Sequence, residues 1–387
     1  MHWLGPPEDG PAPHDRGSHP AARAPPAGGG CGNGPVRLPL VVRPTAFVKR
    51  LLIGRPFRSD RMQHTLLPKR IALPVFASDA LSSVAYAPDE ILLTLAVGGA
   101  AFYAYSPWIA LGVVVVMLTV VASYRQNVHA YPSGGGDYEV ATVNLGPRFG
   151  LVVASALMVD YVLTVAVSVS SGVANLGSAW SFAQRHPVTV AVIIVAVLTA
   201  MNLRGVREAG TAFAIPTYAF MVAVIGMVGW GLVRIFVLGN HLEAESASMA
   251  VTAGRGITGF SFAFLMVRAF SSGSAALTGV EAISNGVPAF RKPKSRNAAT
   301  TLLLLGSIAI TMLVGIITLS RLTHVKIFGT GQPEPVIPQL ARVVFGGFLP
   351  AFYFTIATTA LILVLAANTA FNGFPVLGSI LAQDRYL

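Results

Sequence analysis

The chain has 387 residues, 53% of them hydrophobic and 11% charged, with a mean hydropathy of +0.65. Soluble domains carry about 25% charged residues, so this is an integral membrane protein. Its net charge of +11 would suit nucleic acid, but the basic residues gather at the ends of apolar runs and form no continuous face, which argues against that partner.

The one cysteine, Cys31, excludes an internal disulfide and a cysteine metal site, and the eight histidines have no H-E-x-x-H or comparable spacing. No nucleophile–base pair or cofactor motif is visible, so an enzyme is not expected.

In chain order, residues 1–45 are rich in Pro, Gly, Ala and Arg without an apolar period. They are expected to be a disordered tail, dispensable or the product of an upstream start codon, and they lack the apolar core of a secretory leader. Residues 46–70 carry Lys49, Arg50, Arg55, Arg58, Arg61, Lys69 and Arg70 and read as a basic cytoplasmic juxtamembrane segment. Residues 71–387 form the transmembrane domain.

Within that domain about eight apolar runs are long enough for a hydrocarbon core of about 30 Å. They are expected at 71–98, 106–124, 149–178, 187–203, 211–237, 257–286, 299–321 and 343–371. Arg204 and Arg207 follow the fourth run, and Arg291, Lys292, Lys294 and Arg296 follow the sixth, whereas the loop after the first is uncharged. The amino terminus is therefore expected in the cytoplasm, and with an even number of spans the visible carboxy end as well. Phe102, Tyr103, Tyr105 and Trp108 in the uncharged loop are expected to be interfacial anchors.

The first and sixth runs are interrupted by small polar residues, Ser78 to Ser83 ahead of Pro88 in one and Ser271 to Gly279 in the other. Broken helices five spans apart point to an inverted-repeat transporter with its site at the breaks. A repeat of five spans plus five leaves the chain ending inside its second half, and the closing Ala-Gln-Asp-Arg-Tyr-Leu reads as an interruption.

Three acids lie inside these runs: Asp79, Asp160 and Glu281. A carboxylate at bilayer depth costs about 2.5–3.5 kcal/mol on insertion scales, so it usually marks an ion or proton path.

Four strings of sequence are familiar. They are Ser78 to Tyr86 (SDALSSVAY), Tyr131 to Tyr138 (YPSGGGDY), Val159 to Ser168 (VDYVLTVAVS) and Leu277 to Pro288 (LTGVEAISNGVP). Together they resemble the amino acid–polyamine–organocation (APC) permease superfamily, and within it the Kim-type potassium–proton symporters related to the Kup uptake proteins. The resemblance begins near Phe47 and runs to the end.

It implies an all-α, LeuT-like fold of twelve spans in the complete protein, usually followed by a cytosolic domain, with a homodimer as the assembly. It also implies that Asp79, Tyr86, Asp160, Thr164, Ser168, Thr278 and Glu281 line a potassium path in the plasma membrane.

The residues support that implication physically. Asp160, Thr164 and Ser168, at i, i+4 and i+8, fall within about 80° of one another on a helix, so they make one oxygen-lined stripe. Thr278 and Glu281 are i, i+3 neighbours, and Asp79 and Tyr86 share a face. Potassium is well served by carbonyls, hydroxyls and one or two carboxylates that replace its water. Three carboxylates around one monovalent cation cannot all stay ionised in a low dielectric, so one becomes a proton carrier. Glu281 or Asp79 is the candidate for that, and Asp160 for the main cation ligand. No cofactor is implied beyond the transported potassium and proton.

Other readings stay open. An acid in a helix can pair with an arginine, and Arg268 in the sixth run is available. Asp89 and Glu90 read as residues facing an outer vestibule. Gly134 to Gly136 lacks the strand and Gly-Lys-Ser/Thr of a phosphate cradle, and reads as a tight turn. An amino-acid or polyamine permease is the main rival, although Asp79 would repel a substrate carboxylate. A truncated, non-transporting membrane protein is the third reading.

Overall fold

The computed structural model describes residues 66, 68–132, 134, 136–203, 210–251, 257–327 and 334–386. The expected tail at 1–45, and nearly all of the basic segment at 46–70, lie outside the described residues.

Helix α1 (Lys69–Ala96) is followed by a 3-10 turn (Ala100–Tyr105), α2 (Ser106–Ala130), the short α3 (Gly136–Leu145) and α4 (Pro147–Gly177). Next come α5 (Ser181–Arg185), α6 (Pro187–Leu203), α7 (Gly210–Phe236) and α8 (Phe260–Gly273). The last are α9 (Ala282–Asn285), α10 (Lys294–Leu322), α11 (Val336–Phe345) and α12 (Leu349–Gln383). Among the described residues seven helical segments are long and apolar enough to cross a membrane, α8 and α9 counting as one. The eighth expected span, α6, has 17 residues, about 25 Å, at the lower end of what a crossing needs.

Burial shows which helix is central. In the most apolar stretch of α1, 83% of residues are buried, against 17% in α4. Helix α1 packs against α7, α8, α10 and α12, while α12 lies along α4 and α10 along α2. The acid-bearing face of α1 is thus walled in by protein, the only setting in which bilayer depth tolerates such a group.

The expected break in the first span is absent, because α1 is continuous through both Pro74 and Pro88. Its small polar residues support the helix instead of interrupting it. Ser82 and Ser83 donate their hydroxyls to the Asp79 carbonyl at 2.7 and 3.2 Å. Pro74 cannot donate to the Arg70 carbonyl, and the Tyr218 hydroxyl of α7 takes that place at 2.9 Å.

The sixth span does break. Helix α8 passes into a 3-10 turn at Ser274–Leu277, Thr278 is extended, Gly279 has φ of 83°, and helix resumes only for the four residues of α9. Such irregular backbone survives at depth only where protein surrounds it.

At one end, Asp89 accepts the Val336 N–H at 2.7 Å and so caps the start of α11. Tyr103 is no interfacial anchor: it is buried and donates to the Ile327 carbonyl at 2.8 Å. Trp108 is exposed, as an anchor would be. At the other end, Gly136 has φ of 57° and turns α3 back onto α4, and a Cβ there would collide with the Asn285 side chain.

Candidate functional site

The break after α8 presses against the middle of α1. A Cβ on Gly279 would stand 2.6 Å from the Ala80 nitrogen and 2.8 Å from Asp79 Cγ, so only glycine admits this approach. Beside it, two hydroxyls of α1 meet one from the break. Ser83 Oγ lies 2.6 Å from Thr278 Oγ1 and 2.9 Å from the Tyr86 hydroxyl, which is 3.5 Å from Thr278.

Asp79, Tyr86, Thr164 and Ser168 are buried, while Asp160, Thr278 and Glu281 are partly so. Asp79 and Glu281 line one cavity of about 740 Å³. Asp160, on α4, is near enough to act electrostatically on both. Thr164 and Ser168 follow Asp160 up the buried face of α4 and are not hydrogen-bonded to the hydroxyl cluster among the described residues.

Two further facts define the chemistry. Asp79 Oδ1 and Ser168 Oγ are buried and have no hydrogen-bond partner among the described residues. Such orphans are rare and costly, so each is suited to a ligand that brings positive charge or a donor. Secondly, the ion pairs among the described residues are both made by Arg342, to Glu334 at 2.8 Å and Glu245 at 3.7 Å. Arg268 is exposed on α8 and in neither pair, so the reading in which it neutralises an intramembrane acid does not hold.

Among the described residues no three His, Cys, Asp or Glu side chains gather closely enough to hold a metal ion. Asp79 and Glu281 share the first cavity, and Asp160 is not among its lining residues.

Two cavities flank these residues. The 740 Å³ cavity opens at the end bearing α3 and α9, and a second of about 630 Å³ lies at the other, lined by Asp89, Ser171, Glu334 and Arg342. From Asp79 to Asp89 along α1, and from Tyr161 to Ser171 along α4, is ten residues, a rise of about 15 Å. The cavities are thus separated by a short septum built from Ser83, Tyr86, Thr278, Thr164 and Ser168. Asp89, expected in a vestibule, does line the second cavity, although one oxygen is committed to the α11 cap.

The sequence reading missed the wall of the first cavity. Asp137, at the start of α3, accepts the Tyr124 hydroxyl on both oxygens, at 2.9 and 2.8 Å, and acts electrostatically on Glu281. Burial pushes its carboxyl above the usual range, and the Tyr124 bond opposes that. Tyr138 donates to Asp384 at 2.6 Å across the cavity rim, which pushes the phenol up to about 12. Asp137 and Tyr138 sit in the YPSGGGDY string, yet their partners lie on α2 and at the end of α12, pairings that no local spacing encodes.

The amino acid permease family matches residues 75–387, a stretch that holds every candidate residue named above. The potassium transporter KimA of Bacillus subtilis is 43% identical to this chain over 345 residues, 88% of this chain and 54% of the relative. The chain thus spans about half the length of that curated relative.

Proposed function

Because the chain belongs to the amino acid permease family, we propose that it is the membrane part of a secondary transporter that takes up potassium together with protons. One observation carries the choice of a cation: Asp79, with a carboxylate oxygen buried and unpartnered, lies against the backbone break where an amino-acid carboxylate would have to sit. Two carboxylates there would repel each other, whereas a partly dehydrated monovalent cation satisfies the oxygen at once.

The roles follow from position. Asp160 and Asp79 attract the ion, while Thr278, Thr164 and Ser168 supply neutral oxygens. Glu281, which lines the wider cavity together with Asp79, is suited to carry the proton, with Asp79 as the alternative carrier. The septum of about 15 Å is the barrier that alternates, and the break at Gly279 supplies its hinge. We place the amino terminus and the larger cavity on the cytoplasmic side of the plasma membrane, and expect the complete protein to be a homodimer. The membrane potential then draws each cation inward with about 2.3 kcal/mol per 100 mV.

The test is growth of a bacterium deficient in potassium uptake, rescued by the gene at low potassium. Wild type should restore growth, and Asp160→Asn should lower rubidium-86 uptake by at least about tenfold, equivalent to about 1.4 kcal/mol of lost cation stabilisation. Failure to rescue combined with uptake of a labelled amino acid or polyamine would replace this reading with the permease one. Failure on every substrate would favour a non-transporting protein.

A further inference from the structure

The buried oxygen stripe on α4 does not end at Ser168. Seven residues on, about 20° round the helix and about 10 Å further along it, stands Asn175. It is 1% exposed, and its Oδ1 has no hydrogen-bond partner among the described residues. Its amide nitrogen donates to the Ser171 carbonyl at 2.8 Å. That bond fixes the orientation of the group, because a flipped amide would set two acceptors against each other. The free carbonyl oxygen is therefore held facing away from its own backbone.

The facing helix carries hydroxyls at the same depth. Tyr161 meets Gly373, and Gly172 meets Leu363 and Ala360, so α4 and α12 run antiparallel. In that register Thr359 of α12 is level with Asn175 and Thr355 lies one turn further outward, both buried. Each threonine donates its hydroxyl proton to the carbonyl four residues back, at 2.9 and 2.7 Å, which leaves oxygen lone pairs free to accept. Ser171, to whose carbonyl Asn175 is tied, lines the 630 Å³ cavity.

Resting on the transport reading above, we propose that Asn175 forms a second, outer station for a partly dehydrated monovalent cation, level with the 630 Å³ cavity and two turns outward of Ser168. The station offers neutral oxygens without a carboxylate. It holds the ion weakly and passes it on, as conduction between successive sites requires.

The experiment is thermal unfolding of the purified protein titrated with potassium chloride, at constant ionic strength with a bulky organic cation chloride. Asn175→Leu should retain the wild-type melting temperature without potassium, or raise it, because it removes an orphaned buried acceptor. It should abolish the weaker, high-potassium component of the stabilisation and leave the tighter one in place. Asn175→Asp, which keeps the oxygen and adds charge, should move the weaker component to about tenfold lower potassium. A weaker component retained in Asn175→Leu, or absent from the wild type, would overturn the station alone. A wild type indifferent to potassium would overturn the transport reading and the station with it.

Discussion

Asp79→Asn is expected to lower cation uptake at least about a hundredfold, the equivalent of about 2.7 kcal/mol. Two unit charges 4 Å apart interact by about 4 kcal/mol at an effective dielectric of 20, and desolvation offsets part of that. The same substitution should raise the melting temperature in potassium-free buffer. Asp79 places a carboxylate 7% exposed, with one oxygen unpartnered and no arginine paired to it among the described residues, so an isosteric amide relieves the cost of burial. Falling activity with rising stability is the signature of a ligand held ready at energetic cost. Were Asp79 a structural residue, stability would fall, and uptake would follow it only in proportion to the protein lost.

The second large effect is expected at Gly279→Ala. The backbone there is at φ of 83°, which costs an alanine about 1–2 kcal/mol. The added methyl would also lie 2.6 Å from a main-chain nitrogen of α1, which cannot swing aside as a side-chain tip can. Overpacking of this sort adds about 1–3 kcal/mol. Together these terms threaten either the fold or the approach of the break to Asp79, so detergent-solubilised protein should melt several degrees lower and bind potassium poorly. Gly226→Ala is the control: it sits within α7 with open space around its Cβ position, and it should behave as wild type. Equal melting curves for the two variants would show that the close approach of α1 and the break is unimportant.

Much of the architecture was legible because bilayer depth leaves the chain few choices. All eight expected spans fall on helices, most with ends within a few residues, since apolar length alone determines a crossing. The broken sixth span was readable from Ser271 to Gly279, where serines and glycines replace helix formers. The same reasoning failed in the first span. Serines there close hydrogen bonds onto their own helix, and the carbonyl freed by Pro74 is served by Tyr218 from a helix more than a hundred residues away. Local composition cannot distinguish a hydroxyl that replaces a helical bond from one that reinforces it.

The candidate residues show the same division. The Asp160–Thr164–Ser168 stripe follows from helical spacing, and its burial beyond Asp160 agrees with that. The extension to Asn175 obeys the same periodicity but carries no charge to draw notice. Asp137 and Asp384 were hidden because their roles depend on Tyr124 and Tyr138, brought near by the turn at Gly136. Nor could spacing within single helices reveal the two cavities at opposite ends of α1 and α4, with Asp79 and Glu281 lining the larger.

The most direct measurement is anomalous scattering from thallium(I), a heavy monovalent mimic of potassium, in crystals of the protein. A peak against Asp79 Oδ1, between α1 and the Thr278–Gly279 break, is the expected result. Thallium absent there, with an amino acid seated at the break, would contradict the account.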